Sequence, residues 1–279
     1  MANPGLKKII TFVLITFALS AVPIFVISTA GSMKAAGTIW VVLLAWCPGV
    51  AAIITQFLFH RSLRGLGWGW GKTRYQALGY LLPLAYTSVT YALVWLSGLG
   101  GVSDRLPTGT LRFLLILVLG PVFNMITAAG EEIGWRGLLV PELTKLTGFT
   151  GASLISGLIW AGWHYPLILM ADYNNPATPR WYSLVCFTIM IVGISFGLSW
   201  IRLKSGSLWT AAIFHGSHNL YIQAVYDKVT VDTGVTPYVI GEFGAGLALM
   251  GLVVALVFWT KRSQIHAADR LETRSIDVT

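Results

Sequence analysis

Charged side chains are scarce in this sequence. Only 11% of its 279 residues are Asp, Glu, Lys or Arg, whereas 55% are hydrophobic. An ordinary soluble domain is about 25% charged. A water-soluble fold of this length needs more polar surface than these residues supply. The composition therefore argues against a soluble enzyme, a nucleic-acid-binding module and a disordered chain.

Cysteine is also rare. Cys47 and Cys186 are the only two cysteines, and both lie in apolar segments. We expect them to be small core residues and not part of a disulfide framework or a metal site. Internal repeats are absent, as are the alternating segments of about ten residues that form porin-like barrels.

Long apolar stretches take the place of these features. Each approaches or exceeds the roughly 20 residues that a helix needs to cross about 30 Å of hydrocarbon. They predict an all-α, polytopic membrane protein with a bundle of about eight transmembrane helices in one domain, residues 1–260. A polar cytoplasmic tail is predicted over residues 261–279. The stretches cover residues 9–29, 37–59, 76–98, 111–140, 151–170, 181–201, 207–226 and 238–260.

The distribution of Lys and Arg predicts the orientation, because cytoplasmic loops of membrane proteins are enriched in these residues. The formal charge of +8 then reflects topology and contact with anionic lipids, with no nucleic-acid partner. Both termini are predicted to be cytoplasmic. Basic residues on the side of the termini are Lys7, Lys8, Arg61, Arg64, Lys72, Arg74, Lys145, Arg202, Lys204, Lys261, Arg262, Arg270 and Arg274. Those on the other side are Lys34, Arg105, Arg112, Arg180 and Lys228.

The fourth stretch carries ionisable residues, which are costly inside a membrane and mark functional sites. Glu132 and Arg136 are four residues apart, so they share one face of a helix. Glu131 projects about 100° away from Glu132 and has no basic partner on its helix. We expect Glu132 and Arg136 to support the site as a pair while Glu131 stays free for proton transfer.

Imidazole and amide groups occur in two further stretches. His164 lies in the fifth, and the seventh carries His215 and Asn219, which face the same way at a spacing of four. Helix rise places all these groups at overlapping depths, in or near the cytoplasmic half of the bilayer. Glu131, helped by His164, can take a proton from water. His215 and Asn219 can donate hydrogen bonds to an oxyanion.

Metal dependence is left open by these residues. Glu131, His164 and His215 could supply three zinc ligands and leave a position for water. However, Asn219 is a poor zinc ligand, and His215 and His218 are three apart, not four as in soluble zinc peptidases. We expect that no metal is obligatory, with zinc as the alternative.

These motifs resemble those of the CPBP family, the CAAX proteases and bacteriocin-processing enzymes also called the Abi family. The family shows Glu-Glu-x-x-x-Arg, an aromatic-x-x-x-His and His-x-x-x-Asn on successive membrane helices. Here the motifs are Glu131-Glu132-x-x-x-Arg136, Trp160-x-x-x-His164 and His215-x-x-x-Asn219. The resemblance covers about residues 111–225. Trp160 is a departure, because Phe is usual there.

The resemblance implies an eight-helix intramembrane endopeptidase, with Glu131, His164, His215 and Asn219 as catalytic residues. Its expected reaction is cleavage of a peptide bond near the cytoplasmic side, in a membrane-associated substrate that is lipidated in the family's eukaryotic members. Two other functions stay open from the residues. One is a transporter or proton-coupled channel, and the other is a non-catalytic scaffold or immunity protein.

Overall fold

The computed structural model describes residues 3–104, 106 and 109–265. Apolar helices dominate it, which confirms the predicted all-α membrane bundle. The helices are α1 Pro4–Ala30, α2 Met33–Ala36, α3 Thr38–His60, α4 Thr73–Leu96, α5 Thr110–Glu132, α6 Val140–Met170, α7 Arg180–Ser205, α8 Leu208–Asn219, α9 Asp227–Val229 and α10 Ala245–Thr260. A 3₁₀ turn spans Thr236–Tyr238, and β1 Gly101–Val102 pairs antiparallel with β2 Thr230–Val231.

Five helical segments are long and apolar enough to cross a membrane, so this is an integral, multi-pass membrane protein. They are Pro4–Ala30, Thr38–His60, Thr73–Leu96, Thr110–Met170 and Arg180–Ser205. The segment Thr110–Met170 contains two of the predicted stretches, and Ala245–Thr260 is a shorter apolar helix. A total of eight spans remains a prediction. Residues 266–279 of the predicted tail, with Arg270 and Arg274, and Arg105 in an earlier loop lie outside the described residues.

Two π-helical segments, Ile133–Leu139 and Leu220–Tyr226, interrupt the helices that carry the motifs. The first joins α5 to α6 without a break. The predicted stretch ends at residue 140, but the helix runs through Pro141, which lies in the first turn of α6. The backbone turns only at Gly148, whose φ of 67° suits a residue without a Cβ atom. The last stretch also differs, because α10 begins at Ala245 and not near residue 238.

The helix ends define two faces of the bundle. The terminal face carries residues 3–4, 60–73, 147–149, 205–208 and 260–265, and the distal face carries residues 30–38, 96–110, 170–180 and 229–245. Contacts between segments support the division. On the terminal face Lys204 donates to the carbonyl of Gln264 at 2.7 Å. On the distal face the amide of Met33 donates to the Asp172 carboxylate at 2.8 Å.

Helices α3 and α5 touch through glycine, which brings their backbones together. A Cβ atom on Gly49 would lie 2.5 Å from the carbonyl oxygen of Gly130, and one on Gly130 would lie 2.7 Å from the carbonyl of Ala45. Such close approach is typical of small residues at membrane-helix interfaces. The contact fixes α5 against α3 at the residue just before Glu131.

Candidate active site

Glu131 lies at the end of α5 with its carboxylate held on one side by indole groups. Trp160 Nε1 donates to Glu131 Oε2 at 2.7 Å, and Trp135 Nε1 lies 3.4 Å from the same oxygen. The other oxygen, Oε1, makes no hydrogen bond to any described residue. Glu131 therefore has one oxygen anchored and one free to accept a proton.

Glu132 points into a separate, fully buried network. Its Oε1 accepts from Arg136 at 2.9 Å and contacts His215 Nδ1 at 3.0 Å. Arg136 also donates to Ser195 Oγ at 3.0 Å. Its guanidinium lies 4.3 Å from the ring centre of Trp160, a cation–π distance. The carboxylate thus links the Arg136 side of the bundle to His215.

His164 projects from α6 one helical turn after Trp160. Its Nδ1 lies 2.9 Å from the carbonyl oxygen of Trp160, and since a carbonyl only accepts, Nδ1 carries the proton. The lone pair of the neutral ring is then on Nε2. Trp160 therefore orients both side chains, Glu131 through its indole and His164 through its carbonyl.

His215 is oriented by Glu132 in a similar way. A carboxylate accepts hydrogen bonds, so His215 Nδ1 carries a proton. Nε2 is the ring nitrogen that does not contact Glu132. The ring packs edge-on against Trp160, with centroids 5.1 Å apart. To donate from Nε2 as well, the ring must be the imidazolium, for which Glu132 is the counter-ion.

A cavity of about 260 Å³ brings three of the four expected catalytic residues together. Glu131, His164 and Asn219 all line it. His215 lies behind this lining, against Trp160. The Asn219 amide makes no hydrogen bond to another described residue, which leaves its donors available.

The cavity reaches the distal face of the bundle. Met33 and Tyr173, which line it, belong to distal-face segments, and His164 lies six residues, about 9 Å of helix, before Met170. The sequence-based depth estimate placed these groups in or near the cytoplasmic half, with the termini cytoplasmic. The lining thus extends toward the distal face, and the side of the membrane on which cleavage occurs stays a prediction.

Comparisons with known proteins match the part of the chain that carries the motif residues. Residues 110–221 match the family profile of the type II CAAX prenyl endopeptidases, Rce1-like. A protein of Methanococcus maripaludis, "CAAX prenyl protease 2", is 31% identical over 143 residues, which is 49% of this chain and 52% of that relative. Over these residues the chain is similar to the type II CAAX prenyl endopeptidases of the CPBP family. It spans about half the length of the curated relative that it matches.

The CPBP motifs leave two contributors to this site unassigned. Tyr173, in the distal loop after α6, stacks on His164 with ring centroids 5.6 Å apart and an interplanar angle of 27°. Its hydroxyl donates to the buried Glu242 at 2.9 Å, and Gln223 donates to the same carboxylate at 3.1 Å. Burial, reinforced by the Glu242 carboxylate, raises the pKa of Tyr173 well above its usual value, so the hydroxyl keeps its proton.

Sequence patterns could not predict the contacts of Tyr173 and Glu242. Helical spacing relates residues on one helix, whereas Tyr173 and Glu242 lie in two loops that are far apart along the chain. The motif comparison marks Trp160 only as a departure from the usual Phe. The indole N–H, which Phe lacks, indicates that a buried Trp160 needs a hydrogen-bond acceptor, but it does not identify Glu131 as that acceptor.

The alternative zinc ligands are not assembled as a metal site. Among the residues that the structure describes, no group of three His, Cys, Asp or Glu side chains could hold a metal ion. His164 and His215 each direct Nδ1 to a protein acceptor, Trp160 and Glu132 respectively. Metal independence itself stays a prediction.

Proposed function

We propose that this chain is a CAAX-type intramembrane endopeptidase, which hydrolyses a peptide bond with water activated by Glu131 and His164. The observation that carries the proposal is that these two groups line the same cavity and are both oriented by Trp160. The family match and the relative named as a CAAX prenyl protease support it. Neither favours a transporter or a scaffold.

The proposed reaction begins with a water between Glu131 Oε1 and His164 Nε2. Glu131 accepts a proton as the water oxygen attacks the scissile carbonyl. Asn219 donates to the developing oxyanion, and imidazolium His215 adds a charged donor from the Trp160 side. Collapse of the tetrahedral intermediate breaks the C–N bond, and the proton passes from the glutamic acid to the leaving amine. Water is consumed, and an acid and an amine are formed.

We propose a membrane-associated peptide or protein as the substrate, with a lipidated chain as the form suggested by the relative's name. The cavity wall favours such a partner. Val41, Leu44 and Leu167 provide apolar surface beside the polar groups. An extended peptide can meet the polar groups while an apolar chain stays in contact with the helices and with membrane lipids.

The test measures which peptides are cleaved in membranes that contain the wild type, Glu131→Gln, His164→Ala or the double variant. We expect each single change to lower cleavage by about 10²–10⁴-fold, as for loss of a general base. The double variant should lose little more, because the two groups act together. Asp232→Asn, an exposed carboxylate-to-amide change on the distal face, is the matched control and should cleave normally.

Near-normal turnover by Glu131→Gln on the same substrate would contradict the proposal. A chelator arm tests the metal question in the same membranes. We expect activity to survive chelation and purified active protein to lack stoichiometric zinc. Activity that is lost on chelation and restored by zinc alone would recast Glu131, His164 and His215 as ligands.

A further inference from the structure

A second cavity, of about 410 Å³, opens on the terminal face, away from the catalytic groups. It lies between the start of α1, the end of α3 with its following loop, and the first turns of α6. Its lining mixes apolar and polar residues, and most of its ionisable side chains are basic. The side chains that matter here are Lys8, His60, Ser62, Arg64, Glu142 and Lys145.

Lys8 is the buried centre of this cavity, with only 5% of its surface exposed. Its ammonium donates to Glu142 Oε1 at 2.9 Å and lies 3.1 Å from His60 Nε2. An ammonium has only donors, so His60 Nε2 accepts and the ring proton is on Nδ1. The cavity therefore contains a cation and a neutral imidazole with an N–H group available.

The charges in the cavity do not cancel. Lys145 also pairs with Glu142, at 3.0 Å, so one carboxylate serves two lysines. The exposed Arg64 side chain has no ion pair and no hydrogen bond within the described residues. Three cations against one carboxylate leave a formal excess of two positive charges. A concave, positively charged pocket attracts anions with several oxygen acceptors.

The surroundings identify the anion as part of a lipid. Phe59, Leu63 and Leu146 are exposed large apolar side chains, and each is next in the chain to a residue that lines the cavity. Helix ends at this level meet the headgroup region, and basic pockets between membrane helices bind anionic headgroups. A free phosphate would use the donors and leave this apolar rim uncovered.

We propose that the terminal-face cavity binds the phosphate group of an anionic phospholipid, with Lys8, Arg64 and Lys145 as the cationic contacts. The acyl chains then cover Phe59, Leu63 and Leu146. This site does not depend on the proposed peptidase activity, because none of its residues lines the catalytic cavity.

The test titrates the full-length protein in detergent with phosphatidylglycerol or phosphatidylcholine and counts bound lipid by native mass spectrometry. The test variants are Arg64→Gln and Lys145→Gln, whose exposed side chains can change without disturbing the buried Lys8–Glu142 pair. Lys7→Gln is the matched control, since Lys7 is exposed, adjacent to Lys8 and outside the cavity. A separate arm replaces the lipid by inorganic phosphate at constant ionic strength and measures thermal stabilisation.

We expect preferential binding of phosphatidylglycerol, weakened about tenfold in Arg64→Gln and Lys145→Gln and unchanged in Lys7→Gln. Equal binding of both lipids would overturn the proposal, as would equal losses in Lys7→Gln and Arg64→Gln. Stabilisation by inorganic phosphate that depends on Arg64, without any preference for phosphatidylglycerol, would overturn the lipid assignment and identify a soluble phosphate as the ligand.

Discussion

Adjacent acidic residues in this site have different surroundings. Glu131 contacts two indoles and a cavity, whereas Glu132 contacts Arg136 and His215 inside the protein. The difference follows from the helical rotation of about 100° between neighbours. One residue step therefore separates a carboxylate that lines the cavity, and that we propose accepts a proton from the attacking water, from one that contacts Arg136 and His215.

Removal of either member of the Glu132–Arg136 pair should destabilise the protein. Both side chains are fully buried, so Glu132→Ala or Arg136→Ala leaves the other charge unpaired, at a cost of about 3–5 kcal/mol. We expect lower melting temperatures in detergent for both variants. The double variant should lose less than the sum of the two single losses, because the pair interacts directly. Melting temperatures equal to that of the wild type would contradict the assignment.

The motif residues could be predicted because each motif lies on one helix, where spacing determines direction. Glu132 and Arg136 meet as their spacing of four requires. The role of Trp160 could not be predicted in the same way, since its partner Glu131 lies on another helix. The hydrogen bond depends on how α5 and α6 pack, which no local pattern encodes.

At the scale of elements, the approach of α3 to α5 determines where Glu131 lies. Gly49→Ala should be destabilising by about 1–3 kcal/mol, because its new methyl group meets the rigid carbonyl of Gly130 at 2.5 Å. We also expect reduced cleavage, since α5 must shift beside Glu131. The measurements are the melting temperature in detergent and turnover of a peptide that the wild type cleaves and Glu131→Gln does not.

Gly162→Ala is the matched control for this change. Gly162 lies in α6 two residues before His164, and an added Cβ atom would meet nothing within 4 Å. Alanine is also the better helix former, by up to about 1 kcal/mol. Gly162→Ala should therefore keep its stability and activity, and equal losses in the two variants would disprove the close-approach argument.

Asp227, at the start of α9, links three elements on the distal face. Tyr91 of α4 donates to its carboxylate, and the amide of Gly241 donates to the Tyr91 hydroxyl at 3.1 Å. Burial raises the pKa of Asp227 from 3.8 to about 6, against the hydrogen bond from Tyr91 and the nearby charge of Lys228. The folded protein thus favours the protonated acid.

Because the pKa of Asp227 is higher in the folded state than in the unfolded state, the direction in which stability changes with pH follows. The stabilisation that Asp227 gives to the folded protein is fully present below its unfolded pKa, near 3.8. It is lost as the pH rises through the folded-state pKa of about 6. Asp227→Asn, which still accepts from Tyr91, should raise the melting temperature at pH 8 more than at pH 5. Asp232→Asn on the same face is the control, and an equal effect of both changes at the two pH values would contradict the prediction.

At the scale of the whole molecule, the positions of the helix ends separate the features that the sequence predicted from those that it did not. Composition and apolar stretches predicted the class of fold and its helical membrane segments. The depth estimate took residue 140 as a helix end, and the structure corrects that end. The π-helical segment carries that helix through Pro141 to Gly148, and His164 lies close to the distal end of α6.

Orientation in the membrane is the last prediction, and it decides which side the catalytic cavity faces. Among the described residues, eleven Lys or Arg lie in the terminal-face segments or within a few residues of them, and four lie in or near the distal-face segments. The eleven are Lys7, Lys8, Arg61, Arg64, Lys72, Arg74, Lys145, Arg202, Lys204, Lys261 and Arg262. The four are Lys34, Arg112, Arg180 and Lys228. This bias predicts a cytoplasmic terminal face. A reporter fused after Thr279 should then be cytoplasmic, one inserted near Gly234 should not, and a fusion in the 61–72 loop should agree with the first. The cavity would open away from the cytoplasm, which would make cleavage near the cytoplasmic side wrong. The opposite reporter pattern would overturn the charge argument and give the cavity a cytoplasmic opening.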